Sequence, residues 1–206
     1  MSKLASFPDQ SEPIESSQST ILRSIQESLD LKQALLADGH LLNTICEVSR
    51  EISSALKRGN KVLFFGNGGS AADAQHLAAE LVGRFERDRH AWPGIALAAN
   101  VSTLTSIAND YSYELVYARQ LEGLASSGDV AVGLSTSGKS ANVLCALKSA
   151  KRGGLVSVGM TGKHSPEMET IVDYCISVPS TRTARIQEAH ILIGHILCEI
   201  VDQMQS

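Results

Sequence analysis

The sequence lacks several features that mark whole classes of protein. No stretch approaches the ~20 consecutive apolar residues that span a bilayer, and the N-terminus has no basic segment followed by an apolar core. We therefore expect no secretory signal, no membrane partner and a cytoplasmic location. The formal net charge of -4 argues against the broad basic surface of a non-specific nucleic-acid binder.

The cysteines also lack any metal or disulfide pattern. There is no C-x-x-C pair and no framework spacing among Cys46, Cys145, Cys175 and Cys198. Such cysteines are expected to be small buried hydrophobic residues in a reducing compartment. The chain has 206 residues, of which 19% are charged and 43% hydrophobic, which is typical of one α/β domain rather than two.

What the sequence does contain is an alternation of short apolar runs and helical stretches from Lys61 onward. The runs are VLFF (62–65), GIALA (94–98), DVAVGL (129–134), LVSVGM (155–160) and YCISV (174–178). They are too short and too β-branched for helices, and they predict a parallel sheet covered by helices on both faces. A final long helix is predicted from about Thr183 to Gln203.

The region before the first apolar run differs in composition and in predicted secondary structure. Residues 1–18 are rich in Ser, Gln, Pro and Glu, and this composition predicts a flexible lead. Two amphipathic helical patterns follow and end near Gly59. No linker divides the sheet, so residues 19–206 are predicted to form one domain that includes these helices.

The first candidate binding loop is Gly66-Asn67-Gly68-Gly69-Ser70, directly after VLFF. Glycines let the backbone turn tightly and direct several N–H groups at a ligand, and Ser70 is predicted to cap a helix that starts at Ala71. A simple strand-to-helix turn is the alternative. Three glycines and two polar side chains in five residues favour binding.

The second candidate loop is Ser135-Thr136-Ser137-Gly138-Lys139-Ser140, directly after DVAVGL. Four hydroxyls at a helix N-terminus suit a dianionic phosphate. Residues 133–140 also match the nucleotide-binding pattern G-x-x-x-x-G-K-S. However, no later strand ends in the Asp that would help to hold magnesium, and the first loop would remain unexplained.

Two helical segments carry candidate acid–base or metal-binding residues. His76 and Glu80 are four residues apart on one face of the helix after the first loop. Gln187, His190 and His195 lie in the last helix within an apolar pattern. Such groups can hold a metal or exchange protons. Taken alone, however, His76 and Glu80 are better explained by a solvated helix face, and a histidine within an apolar run is often a buried core residue. Spacing alone does not choose between His190 and His195.

These motifs together resemble a known family. They are GNGGSAADAQHLAAELVGRF (66–85), AND (108–110), STSGKS (135–140), TGK (161–163) and RIQEAHILIGHIL (185–197). In this order they resemble the bacterial phosphoheptose isomerases of the sugar-isomerase (SIS) domain superfamily, over about residues 20–204. The resemblance implies a single SIS domain, a flavodoxin-like three-layer α/β sandwich, and a homotetramer with one zinc ion per subunit.

The resemblance also implies an activity and a set of site residues. The activity is conversion of D-sedoheptulose 7-phosphate to D-glycero-D-manno-heptose 7-phosphate, the first step of ADP- or GDP-heptose biosynthesis for lipopolysaccharide or related glycans. The implied substrate-binding residues are Asn67, Gly68, Gly69, Ser70, Glu80, Asn109, Asp110, Ser135, Thr136, Ser137, Ser140 and Gln187. The implied zinc ligands are His76, Glu80, Gln187 and His195, so that the resemblance selects His195.

The hypothesis for catalysis assigns Glu80 as the carbon base and His195 as the group that exchanges protons with the sugar oxygens. A carboxylate cannot easily be a tight zinc ligand and a free base in the same step, so either its role shifts or the metal is not needed for turnover. Two departures from the family pattern are visible: Lys139 replaces the usual Asn, and residues 163–166 replace a more glycine-rich turn.

The main alternative is a non-catalytic SIS-domain adaptor of the kind that binds the bacterial replication initiator. From the same resemblance, such adaptors lack the glutamate and the last-helix histidine. This chain has both Glu80 and His195, which favours the enzyme.

Overall fold

The computed structural model of the chain describes residues 14–204. The predicted flexible lead reaches residue 18, whereas the first helix begins at Ile14. Residues 14–18 are therefore helical, and the rest of the predicted lead lies outside the described residues.

Helices and strands alternate along the chain as the apolar runs predicted. The helices are α1 (Ile14–Ala37), α2 (Gly39–Lys57), α3 (Gly69–Val82), α4 (Val101–Asp110), α5 (Ala118–Leu124), α6 (Ala141–Arg152), α7 (Pro166–Glu169) and α8 (Thr183–Met204). The strands are β1 (Val62–Gly66), β2 (Gly94–Ala96), β3 (Val130–Ser135), β4 (Val156–Thr161) and β5 (Tyr174–Ser177). A short 3-10 helix covers Tyr113–Leu115. Every predicted run overlaps a strand, although the run at 94–98 yields only three residues of strand.

The five strands form one parallel sheet in the order β2-β1-β3-β4-β5. This is the strand order of flavodoxin-like folds, and it confirms the predicted three-layer architecture. The order reverses between β1 and β3, where Gly66 pairs with Leu134. Ligands bind beyond the carboxyl ends of strands at such a reversal, which is where both candidate loops begin.

Helices cover both faces of the sheet because alternate strand residues point to opposite sides. Val62 and Phe64 of β1 pack in a core that α1, α2, α3 and α8 share. Leu63 and Phe65 pack on the other side against α5, α6 and α7. No helix in residues 14–204 is both long and apolar enough to cross a membrane.

The amino edge of the sheet is held by a fully buried carboxylate, Asp129. It accepts hydrogen bonds from the backbone N–H groups of Lys61 and Ser126 at 3.0 and 2.7 Å and from the amide of Asn60 at 3.1 Å, and it lies 2.7 Å from Lys61 Nζ. Burial alone would raise the pKa of Asp129, but these donors lower it below its ordinary value. The carboxylate therefore ties the starts of β1 and β3 together, away from the candidate loops.

Candidate active site

The glycine loop, residues 66–70, turns directly from β1 into α3. Gly68 has φ of +56°, in the region that side chains rarely adopt, and it occupies the N-cap of α3. The prediction that Ser70 caps the helix is wrong, because α3 begins at Gly69 and Ser70 is buried in its first turn. Ser70 is therefore a buried residue of the helix rather than its cap.

Gly69 is the contact point between the glycine loop and α8. A side chain at this position would overlap the amide of Gln187. The absence of a side chain therefore allows Gln187, which is half-buried, to reach across the start of α3. This places one of the implied site residues of α8 against the glycine loop.

An amide clasp, Asn67 with Asn142, joins the glycine loop to α6. Asn67 Nδ2 donates to Asn142 Oδ1 at 2.8 Å, and Asn142 Nδ2 donates back to Asn67 Oδ1 at 2.9 Å. Tyr113 OH also donates to Asn67 Oδ1, at 3.0 Å. The Asn67 side chain, predicted to line the substrate, is thus hydrogen-bonded within the protein. Sequence reasoning missed Asn142 and Tyr113 because the contacts are distant along the chain.

Tyr117 supports the same loop from below. Its ring packs against Phe65, and its hydroxyl donates to the carbonyl of Gly66. Burial, with a smaller contribution from the neighbouring Tyr113, raises the pKa of Tyr117 to about 12. This hydroxyl therefore stays protonated and acts as a fixed donor to the backbone.

The hydroxyl loop, residues 135–140, surrounds the N-terminus of α6. Ser135 Oγ lies 2.9 Å from Ser140 Oγ and 3.5 Å from Ser137 Oγ. Ser140 occupies the N-cap of α6, yet its side chain accepts no capping hydrogen bond from the helix. The N–H of Val143 donates to Asn142 Oδ1 at 3.0 Å, so the hydroxyls and the N–H groups of Ala141 and Asn142 are the donors that suit an anion.

The other side chains of the hydroxyl loop sit at its rim. Lys139 is exposed, and its N–H donates to Ser137 Oγ at 3.2 Å. Thr136 is half-buried, and its carbonyl accepts from Gly162 N at 3.2 Å. The loop is therefore fixed on one side to the end of β4, while Ser137 and Lys139 remain accessible.

His76, Glu80 and His195 come together between α3 and α8. His76 Nε2 lies 2.9 Å from His195 Nε2 and 3.1 Å from Glu80 Oε1. α3 and α8 approach closely at Gly194, where any side chain would overlap Leu77. Leu77 follows His76 and Gly194 precedes His195, so this contact brings the two imidazoles together edge-on, with ring centroids 5.1 Å apart and an interplanar angle of 61°.

His190, which spacing left as an alternative, lies elsewhere. It is fully buried, and its Nε2 lies 3.3 Å from the carbonyl of Thr161, whereas Nδ1 has no partner. Burial lowers the pKa of His190 to about 4, an effect that the Thr161 carbonyl only partly offsets. His190 is a neutral core residue rather than part of the His76 cluster.

We expect His190 to make stability depend on pH. The unfolded histidine has a pKa near ~6.5, so between about pH 6.5 and pH 4 the unfolded chain binds a proton that the folded chain does not. Stability should fall by about 2 kcal/mol from pH 7 to pH 5 on this account. Urea unfolding at both values measures it, and a His190→Gln variant with an unchanged pH dependence would contradict the assignment.

Asn109 and Asp110 end α4, where both are exposed and Asn109 Nδ2 donates to Asp110 Oδ1 at 2.9 Å. Asp110 lines a cavity of about 620 Å³ together with Thr103, Tyr111 and Arg119. Of the described residues that line this cavity, none comes from the glycine loop or the hydroxyl loop. This cavity therefore includes neither loop, although Tyr113, three residues after Asp110, donates to Asn67 of the glycine loop.

The three clustered side chains have the chemistry of a metal-binding set. One nitrogen from each imidazole and one Glu80 oxygen lie within 4.8 Å of one another. Two imidazoles and a carboxylate form the donor set of catalytic zinc sites, which keep a further position for substrate or water. The donor atoms present fit zinc, and Gln187 is an additional oxygen donor on the same helix as His195.

Comparison with known proteins identifies the family. A model of the SIS domain matches residues 33–162. A phosphoheptose isomerase of Aneurinibacillus thermoaerophilus is 49% identical over 179 residues, which cover 87% of this chain and 90% of that protein. Phosphoheptose isomerase 2 of Campylobacter jejuni is 50% identical over 177 residues, covering 86% and 88%. The chain belongs to the phosphoheptose isomerase family.

Solved structures of phosphoheptose isomerases share this fold over nearly their whole length. The protein from Neisseria gonorrhoeae is 37% identical with a TM-score of 0.85, covering 90% of this chain and 98% of that one. The protein from Francisella tularensis is 34% identical with a TM-score of 0.86, covering 91% and 98%. The SIS match includes both candidate loops, His76 and Glu80, whereas α8 lies beyond it.

Proposed function

We propose that the chain is an aldose–ketose isomerase that interconverts D-sedoheptulose 7-phosphate and D-glycero-D-manno-heptose 7-phosphate. The observation that carries this proposal is that the chain has both an imidazole–carboxylate cluster, between α3 and α8, and a hydroxyl loop after β3, the neighbour of β1. The first can move protons, and the second suits a phosphate. The family to which the chain belongs supports the choice of sugar.

In the proposed reaction, Glu80 removes a proton from C1 of the ketose and returns it to C2. His195 moves the second proton, from the hydroxyl on O1 to the oxygen on C2, so that the enediol collapses to the aldose. His76 lies within hydrogen-bond distance of both groups and orients them. The sequence of transfers leaves every protein group in its starting protonation state.

His76, Glu80, His195 and Gln187 would hold one zinc ion per subunit. When bound, zinc supplies Lewis-acid polarisation of the sugar carbonyl. The glycine loop would contribute Gly68, Gly69 and the turn around Asn67 and Ser70 to substrate binding. Asn109 and Asp110 would contact sugar hydroxyls, and they precede Tyr113, which donates to Asn67 of the glycine loop.

Ser135, Thr136, Ser137 and Ser140 would hold the phosphate group of the substrate. A Ser137→Ala variant should therefore raise KM by about 3- to 10-fold with little change in kcat, because it removes one hydrogen-bond donor from a group that does not react. Steady-state kinetics measures this. Ser127→Ala, at the opposite edge of the sheet, is the matched control, and an effect of Ser137→Ala on kcat alone would contradict the role.

We further propose that the protein acts as a homotetramer in the cytoplasm and supplies the first step of ADP- or GDP-heptose biosynthesis for lipopolysaccharide or related glycans. The assembly is supported by apolar side chains that are exposed on one helix. They are Ile21, Leu22, Ile25, Leu29 and Leu36 of α1. An apolar face of this kind favours contact with other subunits, and light scattering on the purified protein measures the mass of the assembly.

The test of the activity is NMR of the purified protein with sedoheptulose 7-phosphate in deuterated water. We expect signals of the aldoheptose phosphate with deuterium at C2, because the base exchanges its proton with solvent during transfer. Parallel samples with added zinc or with a chelator show whether turnover depends on metal. Absence of product from folded protein in all three samples would overturn the proposal and favour the adaptor.

A further inference from the structure

The turn at residues 163–166 has a strained backbone. His164 has φ of +59°, and it is the only residue other than glycine with positive φ in the part of the chain that the structure describes. A non-glycine residue in this region is uncommon and persists where the surrounding contacts hold it. The contacts that follow His164 therefore indicate what the turn is built to position.

Ser165, the next residue, is buried beneath the hydroxyl loop. It is 1% exposed, and its Oγ donates to the carbonyl of Gly138 at 3.1 Å. Ser165 occupies the N-cap of α7, yet its side chain makes no capping hydrogen bond to that helix. A serine at an N-cap normally caps, so here the hydroxyl serves the hydroxyl loop instead.

Gly138 is fitted closely to this hydroxyl. It has φ of +65°, and a side chain on it would overlap Ser165 and lie 2.6 Å from Thr161 Oγ1. Thr161 ends β4, pairs with Ser135 at the end of β3, and is fully buried against His190. Gly138 therefore rests on a rigid base formed by the end of β4 and the start of α7.

We propose that Ser165 is a positioning residue for phosphate binding, which rests on the proposed function of the hydroxyl loop. Its hydrogen bond fixes the carbonyl of Gly138, the residue between Ser137 and Lys139. With that carbonyl turned down towards Ser165, the Ser137 hydroxyl and the N–H groups at the start of α6 stay directed at the phosphate. Ser165 acts on the substrate only through the loop, and it takes no part in proton transfer.

The experiment compares Ser165→Ala with Ser49→Ala. Ser49 is also fully buried and donates its Oγ to a backbone carbonyl, that of Ile45 at 2.8 Å, but it lies within α2. For each variant we would measure kcat and KM for sedoheptulose 7-phosphate, the binding of inorganic phosphate by 31P NMR titration, and thermal unfolding. The wild type is assayed first, so that an inactive wild type counts against the proposed function and not against Ser165.

We expect Ser165→Ala to raise KM and the dissociation constant of inorganic phosphate by about 3- to 10-fold each, with kcat within about 2-fold of the wild type. Ser49→Ala should leave both constants unchanged, because Ser49 belongs to α2 and contacts neither the turn nor the hydroxyl loop. Unchanged KM and phosphate affinity in Ser165→Ala, or a shift equal to that in Ser49→Ala, would overturn the role.

A second variant tests the same role through the backbone. His164→Val places a β-branched residue at positive φ, where it is more strained than histidine. The turn should then relax and withdraw Ser165 from Gly138, which raises KM and the phosphate dissociation constant in the same direction as Ser165→Ala. His164→Val with wild-type values for both constants would contradict the proposed coupling between the turn and the loop.

Discussion

A Glu80→Gln variant should lose turnover by about 10²- to 10⁴-fold while still binding sugar phosphate, because it removes the proposed carbon base but leaves the hydroxyl loop intact. The amide retains the size of the carboxylate but cannot accept the carbon-bound proton. In the structure Glu80 Oε1 is 3.1 Å from His76 Nε2, so the substitution also tests the cluster as a unit. Steady-state kinetics gives kcat, and a 31P NMR titration gives binding.

The control for Glu80→Gln is Glu47→Gln, an identical chemical change on the exposed side of α2. It should leave kcat and KM unchanged. Full turnover in Glu80→Gln would rule out Glu80 as the base. Loss of phosphate binding with unchanged kcat would instead place Glu80 among the groups that hold the substrate.

An Asp129→Ala variant should be destabilised by about 3 kcal/mol with no change in KM. The change removes a fully buried acceptor and leaves the Lys61 ammonium and two backbone N–H groups without it. Because Asp129 holds the amino edge of the sheet, the loops at the carboxyl edge keep their positions. Urea unfolding measures the loss of stability, and kinetics on the folded variant measures KM.

Asp173→Ala is the matched control, since Asp173 also accepts from a backbone N–H, that of Ser157 at 2.9 Å, and pairs with a lysine. Its side chain is 37% exposed, so water replaces the lost contacts and the cost should be about 1 kcal/mol. Equal losses of unfolding free energy in the two variants would show that the burial of Asp129 adds nothing to its effect on stability.

The order of strands and helices is predictable because short apolar runs bounded by glycine and polar residues favour buried strands. The hydroxyl loop was visible for the same reason, since Ser135 and Ser140 flank the end of a strand and the start of a helix. The start of α3 was misplaced by two residues. Gly68, which has positive φ, serves as the N-cap, and for this reason the prediction that Ser70 caps the helix is wrong.

The parts that the residue pattern alone could not supply depend on contacts between distant segments. Helical spacing does not distinguish His190 from His195. The packing of Gly194 on Leu77 is what places the His195 imidazole beside His76. The family resemblance selected His195, and the structure places that residue in the cluster. No sequence pattern predicts the contact of Ser165, because its hydroxyl donates to the carbonyl of Gly138, 27 residues away, instead of capping its own helix.

The amide clasp between Asn67 and Asn142 has a consequence for selectivity. It joins the turn before α3 to the first turn of α6 by two reciprocal hydrogen bonds, so that moving the glycine loop away from α6 would break both. A ligand whose phosphate is held at the N-terminus of α6 would therefore meet the glycine loop at a fixed distance. We therefore expect the site to discriminate between sugar phosphates by chain length, because this distance does not adjust to a shorter substrate.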